Sequence, residues 1–388
     1  MKSIFCGADS TKCTTGQYSV FRACLGAYLT VHFLQLLPYG AELFSNRGLL
    51  PEADWSPLVH LFPNFLALAD TPLAVRLSIC AGIAASLLLI VGKWDRWAAL
   101  FAWYLWACLF GRNPLVSNPS LPYVGWLLLA HAALPSAPYG SLAAKGRQNP
   151  GGLWHMPQSL FFAAWVLLAL GYSYSGYTKL VSPSWVDGSA IREVLENPLA
   201  RPSAIRDLMV SLPPQLLKAI TWLTLGLELV FAPLACFRRA RPWLWLVMVL
   251  MHLGLILLID FADLSLGMIL IHGFTFNPEW IKPVRRGSGK ATLFFDGQCG
   301  LCHGFVRFVL AESQGHAGIQ FAPLHGETFL ASVPKPVRDE LPDSLVYLGA
   351  DGEIRTKSRA VAMALIHLGG IWTVLGKALR LLPKGRWT

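Results

Sequence analysis

Charge is what this 388-residue chain has least of. Asp, Glu, Lys and Arg together make up 14% of it, where an ordinary soluble domain carries about 25%, and 54% is hydrophobic. A water-soluble globule cannot hide that much apolar surface, so a single soluble enzyme is excluded, and intrinsic disorder with it. Cysteine is thin as well. Of eight cysteines only Cys299 and Cys302 form a tight pair, which excludes a secreted disulfide scaffold. Residues 1–17 are polar and hold no apolar core, so no cleavable signal peptide is expected. Internal repeats and low-complexity tracts are missing too. No stretch combines dense basic residues with interleaved aromatics, so the net charge of +10 points to anionic headgroups and not to nucleic acid. What is there is apolar sequence in long runs, as in a polytopic α-helical membrane bundle.

Runs near 20 residues suit a hydrocarbon core about 30 Å thick. They fall at 18–37, 74–92, 94–111, 121–134, 158–177 and 216–237. The stretch 242–276 is apolar with a break at Asp260 and Asp263. As one helix it would cover about 52 Å, too long for one span, so two short ones are expected and about eight in all. The positive-inside rule then places Lys2, Lys12 and Arg22 inside, followed by Lys93 and Arg96, Lys145 and Arg147, Arg238, Arg239 and Arg241, and finally Lys282, Arg285, Arg286 and Lys290. The expected location is the cell inner (plasma) membrane, with both the N-terminus and the C-terminal region cytoplasmic.

The composition changes at Arg285-Arg286-Gly-Ser-Gly, which reads as a linker over 285–290 between a membrane domain (1–284) and a globular one (291–388). Strands are expected at 291–296, 318–322, 344–348 and 353–356, and helices at 302–312, 358–368 and 372–382. The order βαβ then ββα suggests a thioredoxin-like α/β domain.

Asp296-Gly-Gln-Cys299-Gly-Leu-Cys302 follows the first strand and opens a helix. A thiolate there meets unpaired N–H groups and the positive end of the helix dipole, so its pKa falls. Cys299 is the expected nucleophile and Cys302, about one turn on, the resolving thiol. Asp296 either accepts a proton from Cys302 or stabilises the turn. Three other readings stand beside this one. The pair could be buried and unreactive. A zinc site would need four ligands, and a second Cys pair is lacking, so no metal is expected. Cys299-Gly-Leu-Cys302-His303 also matches c-type haem attachment, which the cytoplasmic side and the preceding strand oppose.

The run Leu293-Phe-Phe-Asp-Gly-Gln-Cys-Gly-Leu-Cys-His303, with Val306-Arg-Phe-Val, Ile319-Gln-Phe-Ala-Pro-Leu, Asp343-Ser-Leu, Asp351-Gly352 and Leu368-Gly-Gly-Ile-Trp372, resembles the DCC family of thiol–disulfide oxidoreductases, a thioredoxin-like group. The resemblance covers roughly the last hundred residues. It departs from the family at its end, where the chain stops at Arg386-Trp-Thr instead of continuing into another helical segment. Pro342, before a strand, is either the cis-proline that thioredoxin-like folds place opposite the pair or an ordinary turn proline.

Ionisable groups inside apolar spans are costly and commonly mark sites. Lys179, Glu228, His252, Asp260, Asp263, His272, His32 and His131 are such groups. A desolvated lysine can act as a base, and one near a span end can equally snorkel to the interface. Tyr174-Ser-Gly-Tyr177-Thr-Lys179-Leu, then Ser184-Trp185-Val-Asp-Gly, with Glu228 and His252 later, resembles the membrane domain of vitamin K-dependent γ-glutamyl carboxylase and its bacterial HTTM relatives. That resemblance implies Lys179 as a base toward a quinol. It also implies a pocket for quinone, quinol or another lipid-like molecule lined by Glu228, His252, Tyr174, Tyr177 and Trp185. Thr178 stands where the carboxylase has a second Lys, and the large luminal portion is absent.

The expected protein is a membrane-anchored thiol–disulfide oxidoreductase with a redox-active disulfide and no tightly bound cofactor. Its partners are the bilayer and protein or peptide thiols and disulfides. Its alternatives are a carboxylase-like or oxygenase-like quinol-dependent enzyme served by the redox domain, a peptide-maturation factor, and a scaffold with a redox-sensing tail.

Overall fold

The computed structural model describes residues 13–152, 154–282, 290–313 and 318–381. Lys2, Lys12, Arg285, Arg286, most of the expected linker and the end of the chain at Arg386 lie outside these. The described chain is mostly helical with one small mixed sheet, and it forms two compact units. One gathers Phe21–Leu134 and Pro157–Phe276, and the other the segment up to Val20, Pro135–Met156 and the chain from Asn277 on.

In the first unit, apolar runs become helices close to their expected limits. Pro72–Val91 begins on Thr71, whose hydroxyl accepts from Ala74 N at 3.2 Å, and stops at Gly92 in the left-handed region. Asp95–Arg112 and Leu121–Ala133 follow. Arg22, expected as a flanking charge, is instead buried within the helix Thr15–Leu36. Its guanidinium donates to the backbone carbonyls of Leu89 and, at 2.6 Å, of Ile90, two of the last carbonyls of the Pro72–Val91 helix.

The stretch 242–276 is two helices, Arg241–Leu258 and Ala262–Thr275. The break is held open because Ile259 is extended and bridged to Ala200, while Arg201 pairs with Asp260 at 3.2 Å. The run 216–237 differs from expectation. It divides into Pro214–Leu229 and Phe231–Ala235, because Pro233 has no N–H and its ring crowds the carbonyl of Leu229 four residues back. Among the described residues, three helices are long and apolar enough to cross a membrane, Pro72–Val91, Gln158–Lys179 and Arg241–Leu258, and Leu121–Ala133 and Ala262–Thr275 are shorter apolar helices.

The second unit holds a four-stranded sheet of order β2-β1-β3-β4, with β1 Ala291–Phe295, β2 Ile319–Pro323, β3 Val346–Leu348 and β4 Ile354–Thr356. β1 pairs in parallel with β2 and antiparallel with β3, as the order βαβ then ββα requires. Alternation along β1 divides the core. Ala291 and Leu293 face helices Gly300–Ser313 and Lys357–Leu368 through Cys302, Val306, Val309, Met363 and Ile366, and Phe294 faces Phe329 and Val333 on the other side. Two short helices, Glu327–Ser332 and Lys335–Arg338, occupy a stretch for which no element was expected.

Candidate functional site

β1 ends at Phe295, and Asp296 turns the chain. Its Oδ1 accepts from Gln298 N at 2.8 Å, an Asx turn that delivers Cys299 to the position just before the helix Gly300–Ser313. The carbonyl of Cys299 accepts from His303 N at 3.0 Å, so Cys299 is the N-cap residue. Its Sγ then takes the place of the usual capping oxygen and accepts from Cys302 N at 3.4 Å. Both thiols are free, Cys299 half-exposed and Cys302 buried in the core facing β1.

This arrangement drives the two pKa values apart. Cys299 is held below the ordinary thiol value, first by the backbone N–H of Cys302 and then by its thiol. Cys302 is pushed up to about 11, mainly by burial and further by the hydrogen bond and charge of Cys299. The Asp296 charge opposes ionisation of both thiols but is a minor influence on each. The pair is therefore one half-exposed sulfur of lowered pKa beside one shielded sulfur of raised pKa.

The sheet sets what surrounds the pair. β1 and β2 run in parallel, so the turns after them, 296–299 and 324–326, open at the same edge, joined by Leu324 N donating to Phe295 O at 2.8 Å. β3 is antiparallel, so the turn before it, 342–345, opens there too. Pro342 sits in that turn, its carbonyl accepting from Ser344 N at 2.8 Å. Its peptide bond is trans, as are all those among the described residues, so Pro342 is a turn proline and not a cis-proline. Leu301, two residues after Cys299 and one before Cys302, is 85% exposed.

In the first unit, Lys179 Nζ donates to both carboxylate oxygens of Glu228, at 2.6 and 2.5 Å, and to Ser175 Oγ at 3.2 Å, with the Trp185 ring 4.6 Å away. Glu228 is buried. The helices come this close because Gly176 faces the backbone of Glu228 and Leu229, where an added Cβ would fall 2.7 Å from Leu229 N. Ser173 links the two pieces beyond, donating to the carbonyls of Glu228 and Leu229 and accepting from Ala232 N at 3.0 Å.

The structure brings Glu228 and Trp185 to Lys179, but Tyr174 and Tyr177 are exposed. His252 is buried in a hydrogen-bonded group absent from the sequence reading. Tyr172 OH lies 2.8 Å from His252 Nε2 and 2.8 Å from His272 Nε2, and Ser265 Oγ is 3.4 Å from His252 Nδ1. The available signal was spacing. Tyr172 precedes Lys179 by seven residues, two helical turns, and so shares its face. A second such group surrounds Asp263, which accepts from His32 at 2.7 Å, Tyr28 OH at 2.9 Å and Asn118 at 2.7 Å.

Comparison with known proteins bears on the C-terminal portion. Residues 293–388 match the family described as DCC1-like thiol-disulfide oxidoreductase. Over 81 residues the chain is 36% identical to the uncharacterized protein YuxK of Bacillus subtilis, a match covering 21% of this chain and 58% of that protein. The chain thus spans less than two thirds of this curated relative. No solved structure matches it.

Proposed function

We propose that the protein is a membrane-anchored thiol–disulfide oxidoreductase, its C-terminal domain thioredoxin-like, acting on protein or peptide disulfides. The observation that carries this reading is the N-cap sulfur of Cys299, accepting from the N–H of Cys302 at the start of a helix. In the reducing direction the Cys299 thiolate attacks one sulfur of a substrate disulfide. A mixed disulfide forms and the other substrate sulfur leaves as thiolate. Cys302 then loses its proton, with Asp296 the nearby carboxylate, and attacks Cys299 Sγ, so the second substrate sulfur departs. Two electrons and two protons pass from the cysteine pair to the substrate, and the pair becomes a disulfide. The reverse sequence oxidises a dithiol.

The direction of the pKa shifts matches the roles. The attacking sulfur is exposed and easily ionised. The resolving sulfur stays protonated until a mixed disulfide replaces the neighbouring thiolate and removes its charge. The test is trapping. The full-length Cys302→Ser variant, incubated with a disulfide-bonded peptide, accumulates a mixed disulfide at Cys299. Cys299→Ser forms none, and an adduct on another cysteine in its place refutes the assignment.

The helical unit anchors this domain in the cell's inner membrane. The eight helical stretches read from the sequence are its proposed spans, with the N-terminus and redox domain cytoplasmic. Its resemblance to HTTM proteins and the Lys179–Glu228 pair beneath Trp185 support a pocket for quinone or another lipid-like molecule. All three ammonium donors of Lys179 are engaged by Glu228 and Ser175. A base role for Lys179 therefore begins with transfer of its proton to Glu228. Binding of a quinone analogue by purified protein, lost in Lys179→Ala, tests the pocket separately from thiol exchange.

A further inference from the structure

Strand β4 ends at the sheet edge where Cys299 stands. Thr356, Val346 and Phe294 lie side by side across β4, β3 and β1, so the residues after Thr356 emerge level with the turn after Phe295. Lys357 N is fixed there, donating to Leu345 O at 3.0 Å. The helix Lys357–Leu368 then runs back along the sheet face that the Gly300–Ser313 helix also covers. Cys299 packs against the same apolar cluster that holds Cys302, Ala360 and Met363. Lys357, Ser358 and Arg359, just before the buried Ala360, are exposed.

The start of the Lys357–Leu368 helix runs against local preference. The N-terminal end of a helix is positive and favours acidic residues, yet this first turn carries two cations and no acid. Thr356 makes no side-chain capping bond, and Lys357 has φ +52, a left-handed conformation that costs any residue with a Cβ. Such conflicts are expected where function holds them. The acidic residues at this edge are placed otherwise. Asp296 accepts from Gln298 N, Glu327 begins the helix that packs through Phe329 on the opposite sheet face, and Asp343 lies in the turn before β3. Lys357 and Arg359 open a helix on the face that carries the cysteine pair.

We infer that Lys357 and Arg359 select the substrate of Cys299, a peptide disulfide with a carboxylate about three residues from its cysteine. β1 and β4 are two strand spacings apart, about 10 Å, and three residues of extended chain cover about 10 Å. A peptide joined to Cys299 Sγ and lying across β3 therefore brings its third side chain to the start of the Lys357–Leu368 helix. A carboxylate there meets the two cations and the positive helix end. The same charges speed encounter with an acidic peptide and slow it with a basic one. The inference rests on the proposed exchange at Cys299 and names its substrate class.

The test measures release of peptide thiol by the reduced full-length protein from symmetric peptide disulfides. The peptides are alike except at the third residue on either side of the cysteine, which is Glu, Gln or Lys. At low ionic strength the Glu peptide should react about fivefold faster than the Gln peptide, the range of an exposed ion pair, and the Lys peptide slower still. Lys357→Gln with Arg359→Gln should leave the Gln peptide unchanged and bring the Glu peptide down to it. Lys357→Arg with Arg359→Lys, which keeps both charges, should retain the preference. Alkylation by neutral iodoacetamide at the wild-type rate checks that Cys299 is intact in each variant. Equal rates for Glu and Gln, a faster Lys peptide, or a preference that survives removal of both charges overturns the inference while the oxidoreductase reading stands. Release from none of the peptides, with Cys299 still alkylated, removes both.

Discussion

The indole Nε1 of Trp372 and the carboxylate of Glu312 lie 2.7 Å apart in the interior of the second unit, and the same carboxylate accepts from Gly16 N at 2.6 Å. Burial raises the Glu312 pKa above its ordinary 4.5, against the lowering pull of Thr14, Trp372 and Gly16. A carboxyl whose folded pKa is raised binds its proton more tightly when folded. Its contribution to stability is full below 4.5 and is lost as pH rises through the raised value. Thermal unfolding of wild type and Glu312→Gln, followed from neutral pH down to 4.5, should show the wild type gaining on the variant. A wild type that instead loses ground on acidification contradicts the burial account.

Removing either cysteine should abolish turnover of disulfide substrates, with different products. Cys299→Ser leaves only Cys302, which is buried in the core facing β1 and shielded from a substrate disulfide. Exchange should be lost, with no mixed disulfide at Cys302. Cys302→Ser should complete the first half-reaction at a near-normal rate and then stop. Rapid-quench mass spectrometry of the full chain distinguishes the two.

Lys179→Ala should destabilise the helical unit by about 3 kcal/mol, the lower end of the cost of leaving a buried charge unpaired, because Lys179 retains some exposure. Lys179→Met combined with Glu228→Leu should cost less than Lys179→Ala alone, since no orphaned carboxylate remains. Unfolding of the reconstituted variants checks this, and a double variant worse than the single one would mean the pair matters through its exact shape.

Tyr172→Phe removes the hydroxyl that meets both His252 and His272. About 1–3 kcal/mol of stability should be lost for each histidine nitrogen left unpartnered. Truncating exposed Tyr174 to Phe should change stability by less than about 0.5 kcal/mol. Equal losses at the two positions would contradict the buried network.

The redox helix was legible because its signals are local. An apolar strand, an Asp-Gly turn and a cysteine at the helix start each follow from short-range chemistry, and β1 and the helix from Gly300 form near where the pattern predicts. The helices Glu327–Ser332 and Lys335–Arg338 were not legible, since each is under two turns and Pro334 and Pro336 read as loop. In the helical unit, residues adjacent in sequence to Lys179 misled. Tyr177 and Tyr174 precede it by two and five residues and point away, whereas Tyr172 is buried two turns back. Arg22 read as a flanking charge because nothing local shows that the carbonyls of Leu89 and Ile90, 67 and 68 residues away, would cap onto it. Glu312 carried no signal either, because its donors come from the first and last described helices.

The most direct measurement is the pH dependence of alkylation at Cys299, read by peptide mass spectrometry on the reduced full-length protein. The account predicts a rate that reaches its plateau below the pH at which a free thiol would, with Cys302 alkylated more slowly than Cys299. A Cys299 that follows the ordinary thiol curve, or that reacts no sooner than Cys302, contradicts it.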